Sequence, residues 1–201
     1  MVRKVPEPKQ RARLRYLLDM VHLTVGELEA GLAEIQLSPA SEGAVELIVR
    51  RPAESEREVL EQADLDLHEG LVGDGWRLRG SSRTEDGSAH PGTQLTLMNA
   101  RVIALVARSR ERWPLAGDQL YVDLDLSAEN LPTGTRLLVG SAIVEVTDQP
   151  HTGCAKFTER FGPAAIRFVN SPAGRALRLR GMYAKVVEPG RVCQGDAIHK
   201  L

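Results

Sequence analysis

From Leu120 onward the chain is cut into short strand-like pieces. LYVDLDL, TRLLVGSAIVEVT, MYAKVVEPG and the terminal GDAIHKL are each only a few residues long and are separated by Gly, Pro and Asn. Pieces this short, bounded by turn-forming residues, pair into β-sheet, and they do not follow the regular strand–helix alternation of a parallel α/β fold. The pattern predicts a mainly β protein with peripheral helices, folded as a twisted, partly closed β-barrel. No internal repeat interrupts this reading.

The first half supplies the helices. In HLTVGELEAGLAEIQLSP, Thr24 and Glu27 fit a capping box, Leu28, Leu32 and Ile35 recur at helical spacing, and Pro39 ends the pattern. Gly26 and Gly31 weaken this helix intrinsically, so packing must stabilise it. AVELIVRRP reads as a strand ending before Pro52, and the acidic segment after it reads as a short helix or turns. LTLMN is a strand that enters a short helix through Asn99, with Val102, Leu105 and Val106 on its buried side. CAKFTERFGPAAIRFVNSPAGRAL reads as two short helices divided at Gly162-Pro163, with Phe157, Phe161, Ile166 and Phe168 facing the core. The expected organisation is a helical extension over 1–39 and a barrel domain over 40–201.

Composition narrows the function classes. A net charge of -1 gives no overall bias toward nucleic acid, and 4% aromatic residues supply a single-strand stacking platform poorly. The basic start MVRKVPEPKQRARLR is broken by proline and does not read as a secretory signal, and no run is long enough to span a membrane. A cytoplasmic protein with reduced thiols, binding neither nucleic acid nor membrane, is expected. Charge is nevertheless uneven: Glu54 to Asp74 holds 8 acidic residues and one basic, and His151 to Arg191 holds 8 basic and 2 acidic. The basic segment either focuses an anion or folds against the acidic one.

Cys154, in QPHTGCAKF, is the best chemical handle. It has one companion, Cys193, and the two lie 39 positions apart, so they make no zinc cluster by themselves. If exposed, Cys154 sits in basic surroundings at the start of a helix, where a thiolate is favoured and attacks electrophiles, carries sulfur or binds soft metals. If buried, it is a small hydrophobe. His151 is its candidate proton-transfer partner or an anion-binding group. Cys193 reads as structural, in a turn before GDAI. His22, His68, His90 and His199 form no HExxH or other dense ligand pattern.

Candidates for phosphate recognition are Lys156, Arg160, Arg167, Arg175, Arg178, Arg180 and Lys185, with hydroxyls from Thr152 and Ser171. Arg160 and Arg167 have a bland alternative, exposure opposite a phenylalanine stripe. GLVGDG, with Gly70, Gly73 and Asp74, lacks the trailing Lys-Ser/Thr of a P-loop, but its glycines permit close packing or an anion nest.

The block QPHTGCAKFTERFGPAAIRFVNSPAGRALRLRGMYAKVVEPGRVCQGDAI, with GLVGDGW and AGDQLYVDLDLSAENL before it, resembles the MOSC domain, named for the C-terminal domain of molybdenum-cofactor sulfurases. The resemblance covers roughly residues 40–200 and implies a barrel-like fold and sulfur delivery, molybdenum-cofactor handling or molybdenum-dependent reduction. The family's cysteine maps onto Cys154, as persulfide carrier or as thiolate ligand to molybdenum. Gly70, Gly73 and Asp74 would line or support the same cleft, and Lys156, Arg160, Arg167, Arg178 and Arg180 would meet the cofactor phosphate. Full sulfurases add a large pyridoxal-phosphate-dependent desulfurase domain. This chain has no room for it, so no intrinsic pyridoxal phosphate site is expected, and a separate cysteine desulfurase would be the sulfur donor and a molybdoenzyme or anionic cofactor the recipient. HTGC departs from the commonest sequence around the family's cysteine.

Four readings compete: a sulfur-carrier or cofactor-handling domain, a molybdenum-dependent oxidoreductase module, a non-catalytic anion-binding or scaffold domain, and dithiol redox chemistry between Cys154 and Cys193.

Overall fold

A computed structural model describes residues 22–201. In chain order the helices are α1 (Val25–Ala30), α2 (Leu32–Gln36), α3 (Trp76–Arg79), α4 (Ala100–Ala107), α5 (Ala155–Asn170) and α6 (Pro172–Ala176). The strands are β1 (Glu42–Arg50), β2 (Glu58–Leu60), β3 (Gln62–Asp66), β4 (Gly70–Leu71), β5 (Leu95–Asn99), β6 (Leu120–Asp123), β7 (Arg136–Val139), β8 (Ala142–Val146), β9 (Met182–Glu188), β10 (Gly190–Cys193) and β11 (Ala197–Lys200). A tight helical turn, Arg110–Ala116, leads into β6.

Seven strands close into a ring in the order β1-β11-β7-β8-β9-β5-β6 and back to β1. Closure goes beyond the partly closed barrel expected from sequence, and the length of β1 explains it. Its start pairs with β11 (Glu42↔His199, Ala44↔Ala197), its middle with β6, and its end with β2 (Ile48↔Leu60, Arg50↔Glu58). A register shift between Val45 and Leu47 bends it around the corner. Among the barrel pairings the β5–β6 pair is parallel, joined through α4 and the helical turn.

The strands carry apolar side chains on both faces, because one face fills the barrel and the other lies under helices. Val45, Ile48, Leu95, Leu97, Leu120 and Val122 belong to the interior cluster. Leu47, Val49, Met98 and Tyr121, at alternate positions, belong to an outer cluster with Phe157, Phe161 and Phe168 of α5. Leu28 and Ile35 join that outer cluster, so the amino-terminal helices pack on the barrel's flank. Burial of each such side chain contributes about 1.5–3 kcal/mol.

The capping box forms: Thr24 Oγ1 accepts from Glu27 N–H, and Glu27 accepts from Thr24 N–H. The single expected helix is two short ones hinged at Gly31, where an added Cβ would lie 2.5 Å from Leu105 Cδ2. Asn99 caps α4 by accepting from Arg101 and Val102 N–H. α5 breaks at Gly162, with φ 88°, as its sequence predicted.

Two expectations are corrected. The acidic segment, read as a short helix or turns, has turns at 54–55 and 67–69 but holds strands β2, β3 and β4 and no helix; Ala63 and Leu65 are buried between exposed Gln62 and Asp64, a period of two. Cys193, read as lying in a turn, instead ends strand β10, which pairs with β3 from Gly190↔Leu65 to Cys193↔Gln62, and the turn follows at 194–195. The basic amino-terminal stretch lies outside the described residues. Among the described residues no helix is long and apolar enough to cross a membrane.

Candidate functional site: an arginine-lined cleft with a thiol at its rim

The antiparallel pairings bring the end of β1, the start of β6, the end of β8 and the start of β9 to one end of the barrel. The loops leaving those strand ends build the site.

Arg51 follows β1 and is held by Asp74 of the GLVGDG loop. The Asp74 carboxylate is fully buried and accepts five hydrogen bonds: Arg51 N–H and Nε at 2.9 Å, Arg51 Nη2 at 3.0 Å, Trp76 N–H at 2.9 Å and Arg79 Nη2 at 3.0 Å. Gly75 makes the approach possible. Its N–H donates to Arg51 O at 2.8 Å, and a Cβ there would sit 2.9 Å from that oxygen.

Four consecutive carbonyls at the end of the 110–116 turn each accept from a different arginine. Pro114 O takes Arg57 Nε at 3.2 Å, Leu115 O takes Arg160 Nη1 at 2.6 Å, Ala116 O takes Arg180 Nη2 at 3.0 Å and Gly117 O takes Arg51 Nη1 at 2.6 Å. The carbonyl end of a helical turn carries partial negative charge and open acceptors, so it gathers guanidiniums. These four come from the β1–β2 region, α5 and the approach to β9. Arg57 Nη1 also donates to Glu56 O. Desolvation, then repulsion from Arg160 and Arg51, holds Arg57 below the ordinary guanidinium range.

Beneath them lies Asp118, fully buried, accepting from Arg180 Nη1 at 2.7 Å. Desolvation raises its carboxyl above the usual range, and Arg180 opposes the shift. His151 Nδ1 faces Asp118 Oδ1 at 3.7 Å, too far for a hydrogen bond. Asp118 Oδ1, His151 Nδ1 and Arg180 Nε are all buried without a hydrogen-bond partner among the described residues. Burial first, then Arg180 and Arg51, pushes His151 well below its ordinary value, so the ring is neutral at pH 7. It packs on Tyr183 with ring centroids 4.4 Å apart, and the Arg180 guanidinium sits 5.0 Å over the Phe157 ring.

Cys154 occupies the N-cap of α5, and its carbonyl accepts from Thr158 N–H at 3.1 Å. The residue is exposed and in no disulfide, which settles the choice between an accessible thiol and a buried one. It borders a cleft of about 410 Å³ whose walls include His151, Lys156, Arg160 and Arg180 together with Arg51, Arg57, Arg79, Arg83 and Tyr183. Lys156 is paired with Glu54 at 2.7 Å and Arg191 with Asp64 at 2.9 Å, so the acidic segment partly neutralises the basic one, of whose cations Lys156, Arg160 and Arg180 line the cleft. Among the described residues no three His, Cys, Asp or Glu side chains come together as a metal site. A metal at Cys154 would therefore need its other ligands from a cofactor.

The remaining expected residues lie elsewhere. Gly70 and Gly73 do not line the cleft; their positive φ values, 71° and 79°, shape the loop that presents Asp74, and Gly70 packs on Gln94. Arg167 lies beside Val25, Leu32 and Ser171, on the flank where α1 packs. Arg175, Arg178 and Thr152 border a neighbouring cleft that shares only His151 and Arg180 with the first, and Arg178 donates to Leu131 O at 2.7 Å. Ser171 caps α6, and Lys185 pairs with Glu145 at 2.9 Å on the barrel wall. Cys193 sits in the small β10-β3-β4 sheet, its N–H donating to Asp196, in a region separate from Cys154, which removes the dithiol pair.

Sequence reasoning missed Arg51, Arg57, Arg79, Arg83 and Asp118. Arg51 closes a strand before Pro52 and Asp118 lies in AGDQLYV; nothing local distinguishes either from a surface charge, because the carbonyls that gather the arginines are a tertiary feature.

The family model for the MOSC domain matches residues 88–199. This span contains Asp118, His151, Cys154, Lys156, Arg160 and Arg180, and leaves out Arg51, Arg57, Asp74 and Arg79. No curated protein matches the chain. Among solved structures, the YuaD protein from Bacillus subtilis is similar with a TM-score of 0.56 at 19% identity, over 78% of this chain and 94% of that one. YiiM from Escherichia coli is similar with a TM-score of 0.50 at 18% identity, over 79% of this chain and 69% of that one. Those likenesses carry the fold. With more than half its length matched by the family model, the chain belongs to the MOSC domain family, which is associated with molybdenum-cofactor sulfurase-type functions.

Proposed function

We propose that this chain is a sulfur-carrier or molybdenum-cofactor-handling domain that works through Cys154. The observation that supports it most is the accessible thiol opening into the same cleft as the carbonyl-anchored arginines. An anionic cofactor fits that cleft, because guanidinium charge exceeds the carboxylate charge and Arg180 Nε is buried without a partner. Arg57, Arg160, Arg180 and Arg79 would face its anionic end, and the Cys154 thiolate would lie beside it. When bound, the cofactor supplies a molybdenum centre with its own sulfur ligands.

The chain's own chemistry is thiol exchange. The Cys154 thiol gives up its proton to solvent, because the burial and the arginines that hold His151 neutral make it a poor acceptor, and the thiolate attacks the terminal sulfur of a desulfurase persulfide. A sulfur–sulfur bond forms on Cys154, the donor's sulfur–sulfur bond breaks, and the donor cysteine leaves as thiolate. Intact mass after incubation with a cysteine desulfurase and cysteine should show one added, reductant-labile sulfur on the wild type and none on Cys154→Ala. A competent donor that leaves the wild type unmodified overturns the carrier reading. Metal analysis tests the oxidoreductase alternative: molybdenum retained by wild type and lost in Cys154→Ala would favour it.

A further inference from the structure

We propose that the cleft is built for a ligand carrying two linked phosphate-class groups, a diphosphate, in preference to a single phosphate monoester. This rests on the reading of the cleft as an anion site.

Charge comes first. Among the described residues seven lysine and arginine side chains line the cleft, and three carboxylates touch them: Asp74 on Arg51 and Arg79, Asp118 on Arg180, and Glu54 on Lys156. That leaves a formal excess of four positive charges. One phosphate monoester brings about 1.5 to 2 negative charges at pH 7, roughly half of what is needed.

Anchoring comes second. The cations are held on one connected framework with two anchors, the Asp74 carboxylate and the 114–117 carbonyls, which Arg51 joins by also donating to Gly117 O. Arg51 and Arg79 are fixed by Asp74, and Arg57 and Arg160 by the Pro114 and Leu115 carbonyls. Arg79 commits one nitrogen, Nη2, to Asp74, and Arg160 commits one, Nη1, to Leu115 O, so each keeps an edge for bidentate contact with a phosphate. Two anchored guanidinium edges, one on Arg79 and one on Arg160, match two linked anionic groups. Arg180, with its buried unpartnered Nε, is held between Asp118 and Ala116 O of the same carbonyl row.

The third argument is cost. Arg160 and Arg51 repel Arg57, and Arg51 repels Arg79, in both cases on top of desolvation. Like charges gathered in a partly desolvated site oppose folding until a counter-charge arrives, so a polyanion should raise the melting temperature of this protein more than a monoanion at equal ionic strength.

The test is titration calorimetry of the full chain with inorganic phosphate and inorganic diphosphate at fixed ionic strength. Diphosphate should bind at least tenfold more tightly. Arg79→Gln and Arg160→Gln should each pull its affinity down to that of phosphate. Arg79 is exposed, so its variant is expected to fold, and thermal melts check the Arg160 variant. Equal affinity for the two anions overturns the proposal, as does a preference that survives both variants or that is abolished by Arg175→Ala in the neighbouring cleft. Cys154→Ala should keep the preference. Diphosphate binding without sulfur loading would overturn the carrier reading alone, and sulfur loading with equal anion affinities would overturn this proposal alone.

Discussion

Asp74→Ala is the most informative single perturbation of the site's framework. The carboxylate is fully buried and accepts five hydrogen bonds, three of them from Arg51, whose side chain is only 8% exposed. Removing it strands the Arg51 guanidinium with Gly117 O as its one remaining acceptor and leaves the Arg51 and Trp76 N–H groups unpaired. Breaking one side of a buried ion pair costs about 3–5 kcal/mol. A domain of this size has a total stability of about 5–15 kcal/mol, so the loss is a large fraction of it. Urea denaturation should show the midpoint falling with an unchanged slope. Arg51→Met paired with Asp74→Ala gives the control: without a charge to strand, the double variant should be more stable than the sum of the singles by about 1–3 kcal/mol. A loss below about 1 kcal/mol for Asp74→Ala, or simple additivity, would refute the claim that Asp74 organises this end of the barrel.

Other consequences are as specific. Because folding depresses His151, the unfolded chain gains a proton below about pH 6.5 that the folded chain resists, so stability falls on acidification until the folded ring titrates. Urea unfolding at pH 7 and 5.5 should show wild type losing up to about 1.4 kcal/mol per pH unit more than His151→Gln; parallel pH dependences would mean the ring is not held neutral. Asp118 acts in the opposite sense, its raised carboxyl favouring the fold when protonated, which is why the comparison varies His151 alone. Gly181 has φ 99°, and a Cβ there would lie 2.3 Å from Leu97 O and 3.3 Å from His151 Nδ1, so Gly181→Ala should cost at least about 1–3 kcal/mol and lower the melting temperature; an unchanged melt contradicts that geometry. Asn99→Ala removes the α4 cap and the donors to Ser38 Oγ and Leu124 O, and should cost about 2 kcal/mol by chemical denaturation, against no change if the cap is incidental.

Much of the barrel was legible because its cause is local. The apolar run of LYVD, the alternation in AIVEV, the Asn99 cap, the Thr24–Glu27 box and the Gly162-Pro163 break are set by residues close together in the chain. The strands of the acidic segment were not, because EVL and QADLD expose most of their side chains and carry little apolar signal. The site divides the same way. Cys154, His151, Lys156, Arg160 and Arg180 sit in one stretch of chain and could be grouped on sight. The carbonyls of residues 114–117 and the arginines they collect come from four stretches and meet only once the barrel has closed. Arg167 and Arg178 carried the same local signal as Arg160, and helix direction and a left-handed turn at Arg178, with φ 48°, sent them elsewhere.

The central claim is that Cys154 and the arginines form one electrostatic unit. Rates of alkylation by iodoacetate and by neutral iodoacetamide, measured at Cys154 with Cys193 as internal reference, address it without any ligand. A positive cleft raises the local concentration of the anionic reagent. The iodoacetate-to-iodoacetamide ratio should therefore be higher at Cys154 than at Cys193, fall as salt is added, and fall again in Arg79→Gln and Arg160→Gln. Equal, salt-independent ratios at the two cysteines would contradict the account.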